Sequence, residues 1–176
     1  MKILYFSPLF IILLFLTSCF DDDDNSKDYA GWREENTTFI ELAASETVDG
    51  KLRYEKIVPP WDNSVYALLE WHNEREADRD RIYPLSNSTI DVKYLLTNIY
   101  GDTLDSSSSF RCRPANMITG FNVAVTNMLP GDTVTAIIPY NAGYGSSNYG
   151  SVLPYSTLIF NIRLDSIVAY ETLPWR

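Results

Sequence analysis

Residues 137–160, IIPYNAGYGSSNYGSVLPYSTLIF, constrain this chain more than any other stretch. On the near side Val134, Ala136 and Ile138 alternate with threonines and Ile137, the period of a strand with one buried face. On the far side Leu158, Phe160, Ile162 and Leu164 point one way, and Asn161, Arg163 and Asp165 the other. Between them lie three glycines, two prolines and four serines, all turn formers. Tyr144, Tyr149 and Tyr155 fall in the same loop, and a plain connection has no need of those rings. The fold is therefore expected to carry an aromatic loop between two half-buried strands.

Other segments read in the same way. Val65–Trp71 is apolar and aromatic enough for a strand, and Ile90, Val92, Tyr94 and Leu96 alternate along another. Tyr100-Gly101-Asp102 turns the chain, Leu104-Asp105-Ser106-Ser107 follows, and Phe110–Arg113 is expected as a short strand stopped by Pro114. Met117–Met128 is expected as the one short helix of this part, with Ile118, Phe121 and Val125 at helical spacing, and Pro130-Gly131 ends it. Upstream, residues 29–45 repeat Trp32, Phe39, Ile40 and Ala43 near one helical face, with Asp28 available as N-cap. Asp49-Gly50 then reads as a turn, short extended pieces run from Leu52 to Val58, and Pro59-Pro60 breaks the chain. The run 74–81, EREADRDR, has no apolar stripe and reads as an exposed connection. Trp61 and Trp71 are expected in the core or on a second contact surface.

The first residues are a targeting signal rather than part of the fold. Lys2 precedes an apolar run from Ile3 to Leu16, too short for a membrane span, and Leu16-Thr17-Ser18-Cys19 resembles the lipobox of bacterial lipoproteins. Cys19 is thus the expected lipidation site, and several acyl chains on it would suffice for stable anchoring. Residues 20–28, with four consecutive aspartates, are expected to be an acidic tether. An outer-membrane lipoprotein is implied; periplasmic and surface-exposed placement both remain open.

Several function classes are excluded at this stage. A net charge of −9 with no basic cluster argues against nucleic acid as a partner. One histidine and two cysteines give a metal site nothing to be built from, and His72 alone cannot assemble a catalytic triad. With Cys19 in the lipobox, Cys112 is left as a lone thiol whose simplest reading is a small hydrophobe beside a strand.

The 137–160 stretch resembles the active-site loop of FKBP-type peptidyl-prolyl cis–trans isomerases. The resemblance rests on Ile138-Pro139, Gly143-Tyr144-Gly145 and Pro154-Tyr155-Ser156-Thr157-Leu158-Ile159-Phe160. It extends upstream, in the family's order, through Tyr94, Gly101, Leu104-Asp105-Ser106-Ser107, Met117-Ile118, Gly120-Phe121, Met128 and Gly131-Asp132. The fold it implies is α+β, a curled antiparallel sheet around one short helix, preceded by a helical extension. The divisions expected are a signal segment (1–19), a tether (20–28), the extension (29–64), an FKBP-like domain (65–170) and a tail (171–176).

The resemblance also implies an activity: isomerisation of X–Pro bonds in proline-containing polypeptides, here exported proteins being folded in the cell envelope. Rotation about such a bond faces a barrier of about 18–20 kcal/mol because it breaks amide resonance. No bond to another group forms, so no nucleophile, metal or cofactor is required. By resemblance, Tyr94, Asp105, Tyr144 and Phe160 are the catalytic residues, with Tyr144 the hydroxyl donor and Asp105 on the rim. Leu104, Phe110, Met117, Ile118, Phe121 and Val152 would bind substrate, with Phe121 as floor and the Ile118 N–H as a second donor. Leu104 and Phe121 stand where the family usually has phenylalanine and tryptophan, and no arginine follows Ser107 to pair with Asp105. Those departures keep a rival open, a non-catalytic module that holds proline-containing peptides or envelope partners. A glycan-binding surface protein is a third reading, resting only on aromatic content and the anchor.

Overall fold

The computed structural model describes residues 29–74 and 82–170. The signal segment with Cys19, the acidic tether, Asp28 as a helix cap, all but Glu74 of the 74–81 run and the 171–176 tail lie outside them.

The first element is helix α1 (Ala30–Ser45), whose Asn36, Ile40 and Ala43 form one buried stripe at i, i+4 and i+7. Its N-cap position is Tyr29, with no side-chain cap. A two-residue hairpin follows, β1 (Thr47–Val48) against β2 (Lys51–Leu52). Asp49 and Gly50 between them both have positive φ (51° and 75°), the backbone a tight Asp-Gly hairpin requires.

The remaining strands are β3 (Glu55–Ile57), β4 (Ala67–Trp71), β5 (Thr89–Thr97), β6 (Thr103–Cys112), β7 (Thr133–Ile138) and β8 (Leu158–Ala169). They form one antiparallel sheet in the order β3-β4-β7-β8-β5-β6. β8 is central and alternates as its sequence predicts, with Leu158, Phe160, Ile162 and Leu164 buried. β3 comes from the 29–64 segment, so that segment supplies an edge strand to the sheet as well as a helix.

Helix α2 (Thr119–Val125) packs against β4 and β7, with Phe121, Val123, Ala124 and Val125 inaccessible to solvent or nearly so. It is shorter than the 117–128 span its sequence suggests. Met117 and Ile118 are extended, and Thr126 to Met128 close the C-terminal end through turn hydrogen bonds. Gly120 lets α2 lie against β7, because a Cβ there would stand 2.2 Å from Ile138 Cγ2.

Three further expectations change. β7 does not bury one face only: Ile137, on the opposite face from Ile138, packs with Ile40, Ala43, Tyr54 and Leu68 beneath α1. The helix explains the apolar residue at a position that alternation assigns to solvent. β6 is not a short strand at 110–113 but runs ten residues from Thr103, carrying the serine-rich stretch along the sheet edge. Trp61 is 61% exposed rather than in the core, while Trp71 is half-buried and donates its Nε1 hydrogen to Glu55 (2.9 Å).

Asp132, only 3% exposed, ties this fold together at the entry to β7. Its carboxylate accepts hydrogen bonds from the Leu129 amide (2.8 Å) and from Asn73 Nδ2 (2.9 Å), and Asn73 Oδ1 accepts from the Thr133 amide (2.9 Å).

Candidate functional site

The site is an aromatic basin where β5, β6, β8, α2 and the 139–157 loop converge. Phe160 of β8 sits between two rings, Tyr94 of β5 at 5.9 Å and Phe121 of α2 at 5.5 Å. Phe110 of β6 meets Tyr94 edge-on at 5.6 Å. Leu104, Met117, Ile118, Tyr144 and Val152 all pack on the same cluster. Every apolar residue assigned to the site from sequence is therefore brought into one continuous group.

A bulge in β6 makes that convergence possible. Val92 pairs with Phe110, but Tyr94 pairs with Ser107, so β6 takes three steps for two of β5. Side chains alternate between faces, so an unbulged strand would put Asp105 and Phe110 on opposite faces. The extra residue returns them to the face of Tyr94. A second irregularity, between Leu96–Asp105 and Thr97–Thr103, falls at Leu104, whose side chain also reaches the cluster.

Asp105 lies in the body of β6. Its Oδ2 accepts a hydrogen bond from the Tyr94 hydroxyl (2.7 Å), and its Oδ1 accepts one from the Ser106 amide (2.8 Å). Tyr94 is thus a partner of Asp105 where no arginine follows Ser107. Burial, and secondly the bond to Asp105, push the Tyr94 hydroxyl well above the usual tyrosine range. With that hydrogen committed to Asp105, Tyr94 is a wall of the basin rather than a donor to a ligand.

Tyr144 is different. Its ring stacks on Tyr149 at 4.3 Å and 9°, and among the described residues its hydroxyl has no hydrogen-bond partner. Burial, with smaller contributions from Tyr149 and Asp105, raises its ionisation above the ordinary value, so it remains a donor at neutral pH. Opposite it, Ile118 is the extended residue (φ −56°, ψ 149°) that opens α2. Residues at a helix start leave their amides without intrahelical partners, so the Ile118 N–H is a second available donor.

Phe121 is fully buried, and its ring meets Phe160 at a 67° interplanar angle. It backs the basin from beneath Phe160, while Tyr94, Phe110, Met117, Ile118 and Tyr144 keep part of their surface open. Val152 is 5% exposed and is held by a two-residue bridge to Tyr149. Ser151 Oγ donates to the Leu104 carbonyl (3.2 Å), which ties the loop tip across to β6.

Nothing in the alternation pattern marks Tyr149 as the ring that holds Tyr144. Cys112 also turns toward this cluster from the end of β6; burial, and secondly Asp91, push its thiol up to about 11.

Residues 82–165 match the model of the family described as FKBP-type peptidyl-prolyl cis-trans isomerase. This part of the chain belongs to that family. Solved structures resemble the chain over a longer span. A peptidyl-prolyl cis-trans isomerase from Pseudomonas syringae pv. tomato aligns with a TM-score of 0.65 at 20% identity, over 79% of this chain and 95% of that one. FkpA from Escherichia coli aligns with a TM-score of 0.66 at 20% identity, over 82% of this chain and 63% of that one. The wheat FKBP73 structure, with three FKBP domains, gives 0.55 at 23% identity, over 65% and 51%. At these identities the likeness is one of fold, and it is the FKBP-like α+β fold expected from the sequence. Comparison with curated proteins finds no match.

Proposed function

We propose that the basin around Phe160 catalyses cis–trans isomerisation of X–Pro bonds in polypeptides. The observation that carries the reading is the ring cluster Tyr94–Phe160–Phe110 with a Tyr144 hydroxyl on its rim that has no hydrogen-bond partner among the described residues, in a domain of the FKBP-type family. A proline ring seated on Phe160 would leave its preceding amide among apolar side chains. Water stabilises the planar, polar amide more than the twisted one, so its exclusion lowers the barrier. Donors that bind the twisted state better than the planar one add to this. Tyr144 Oη and the Ile118 N–H are the two groups available for that work. The Tyr94–Asp105 bond holds one wall rigid and leaves a carboxylate at the edge. No step moves a proton or forms a covalent bond, so the rate should change little across neutral pH.

The setting is part of the same proposal. The lipobox-like Leu16–Cys19 and the acidic run after it support a lipid anchor at Cys19 in an outer membrane, facing the periplasm or the cell surface. The clients would be proline-containing exported proteins. An envelope without ATP suits a folding helper that needs no energy source.

One observation favours the rival reading of a binding module without turnover. Phe121, Val152 and Phe160 are all at or below 5% exposure, so little of their surface is open to a proline ring. Exchange spectroscopy of a proline tetrapeptide separates the two. Catalysis predicts cis–trans exchange cross-peaks at protein concentrations far below that of peptide. Shifted peptide resonances without exchange would leave the binding module, and unperturbed resonances would sink both.

A further inference from the structure

The 139–157 loop carries Tyr144 and Val152, yet its neck is gripped by residues outside the family-matched segment. Asn36 of α1 is completely buried and makes two side-chain hydrogen bonds. Its Nδ2 donates to the Trp32 carbonyl (2.8 Å), and its Oδ1 accepts from the Thr157 amide (2.7 Å). Thr157 Oγ1 returns a bond to the Asn36 carbonyl (3.1 Å). One turn earlier Trp32 Nε1 donates to Ser156 Oγ (3.2 Å). Arg33 lies over both Tyr155 (4.9 Å to the ring centroid) and Tyr140 (5.5 Å), and its Nη2 donates to the Tyr140 hydroxyl (3.1 Å). Trp32, Arg33 and Asn36, within little more than one turn of α1, thus hold both ends of the loop.

The grip passes inward through the backbone. The Tyr155 amide donates to the Gly145 carbonyl (2.8 Å), and the Gly145 amide donates to the Tyr140 carbonyl (2.9 Å). Gly145 is therefore pinned between the two residues under Arg33, and Tyr144 is its neighbour in the chain. Tyr155 has φ +60°, a conformation a bulky residue keeps only when its surroundings over-determine it. Its ring, packed against Tyr140 at 5.5 Å and capped by the Arg33 guanidinium, supplies that constraint.

We infer that α1 is a positioning element for the isomerase site, with Asn36 and Arg33 as the residues that set Tyr144 through the loop neck. This rests on the catalytic reading above and adds to it a dependence on the N-terminal segment. Binding geometry misplaced by about 1 Å can cost on the order of a hundredfold in rate, so a loosened neck is expected to be felt at Tyr144. Arg33 is exposed and touches neither the basin nor the sheet core, so its removal tests the neck alone.

The test uses the whole protein with Asn36→Ala and Arg33→Ala, and Ile90→Val as a control for general destabilisation in a strand remote from the loop. Two readouts are taken, backbone amide exchange and kcat/KM on a proline tetrapeptide. The expected result is exchange at Gly145 and Tyr155 raised at least tenfold in both variants. The Ile162 amide stays as protected as in the unaltered protein, and kcat/KM falls about five- to tenfold. Ile90→Val should move neither the loop amides nor kcat/KM. Unchanged loop exchange in Arg33→Ala and Asn36→Ala overturns the proposal, and so does faster loop exchange with unchanged kcat/KM. Should the unaltered protein turn over no peptide, the catalytic reading fails by itself. The grip of α1 is then judged by loop exchange and by the Kd of the same peptide, unchanged values again overturning it.

Discussion

Substituting alanine for Gly120 sets two effects against each other, and the structure says which should win. In an open helix the change is favourable by roughly 1 kcal/mol, because glycine is a poor helix former. At this position the new Cβ would lie 2.2 Å from Ile138 Cγ2, 2.9 Å from Cγ1 and 3.1 Å from Cβ. Carbon atoms rest at about 3.5 Å or more, so α2 or Ile138 must give way by about 1.3 Å. Ile138 is fully buried in the core cluster, so it moves only by displacing its neighbours. Overpacking of a tight core costs roughly 1–3 kcal/mol, and a clash of this depth belongs at the upper end. The net expectation is a loss of about 2 kcal/mol, read as a lower denaturation midpoint in urea. Because Ile118 and Phe121 flank the clash, kcat/KM should fall by more than stability explains, on the order of a hundredfold for a shift near 1 Å. Gly120→Ala combined with Ile138→Ala should be less damaging than the two single changes added together, since the second removes the clashing atoms. A Gly120→Ala protein as stable as the unaltered one, or more stable, would refute the close α2–β7 contact.

Three further predictions concern polar groups that are buried or partly buried. Asp132→Ala removes two charge-assisted bonds and leaves the Leu129 amide unsatisfied, which should cost roughly 2–4 kcal/mol in denaturant unfolding without altering peptide affinity. The Cys112 thiol, pushed up to about 11, should react with iodoacetamide at pH 8 roughly two-hundredfold more slowly than an ordinary thiol, and at the ordinary rate once unfolded. Groups with folded ionisation raised above the unfolded value stabilise the fold at lower pH. The contributions of Cys112, Tyr94 and Tyr144 should therefore be complete at neutral pH and lost as pH climbs through their raised values. Stability that rises between pH 9 and 11 would contradict those environments.

What could be read from sequence was local. The alternation of β8, the Asp49-Gly50 hairpin and the Gly101 turn (φ 86°) each depend on residues next to one another. The β6 bulge did not show, because Ser106 to Ser109 carry no apolar register from which a missing step could be counted. The extent of α2 was overread since Met117 and Met128 are apolar at fitting intervals, yet they pack from outside the helix. The burial of Ile137 waited on α1, which covers it from a distant part of the chain. Asn36 was the least visible. It sits on the apolar stripe between Trp32 and Ile40, and only its partner Thr157, 121 residues away, explains a polar side chain there. The basin's members were legible through family resemblance, whereas the Tyr94–Asp105 and Tyr144–Tyr149 pairings needed coordinates.

The most direct test of the account is a protease-coupled isomerisation assay on proline tetrapeptides, with Phe160→Ala and Tyr144→Phe run beside the unaltered protein and each shown to be folded. The account predicts acceleration above the uncatalysed relaxation of roughly 10–100 s. That acceleration should be lost in Phe160→Ala and reduced in Tyr144→Phe. Acceleration that survives Phe160→Ala, or a folded unaltered protein with none across several residues before proline, would contradict it.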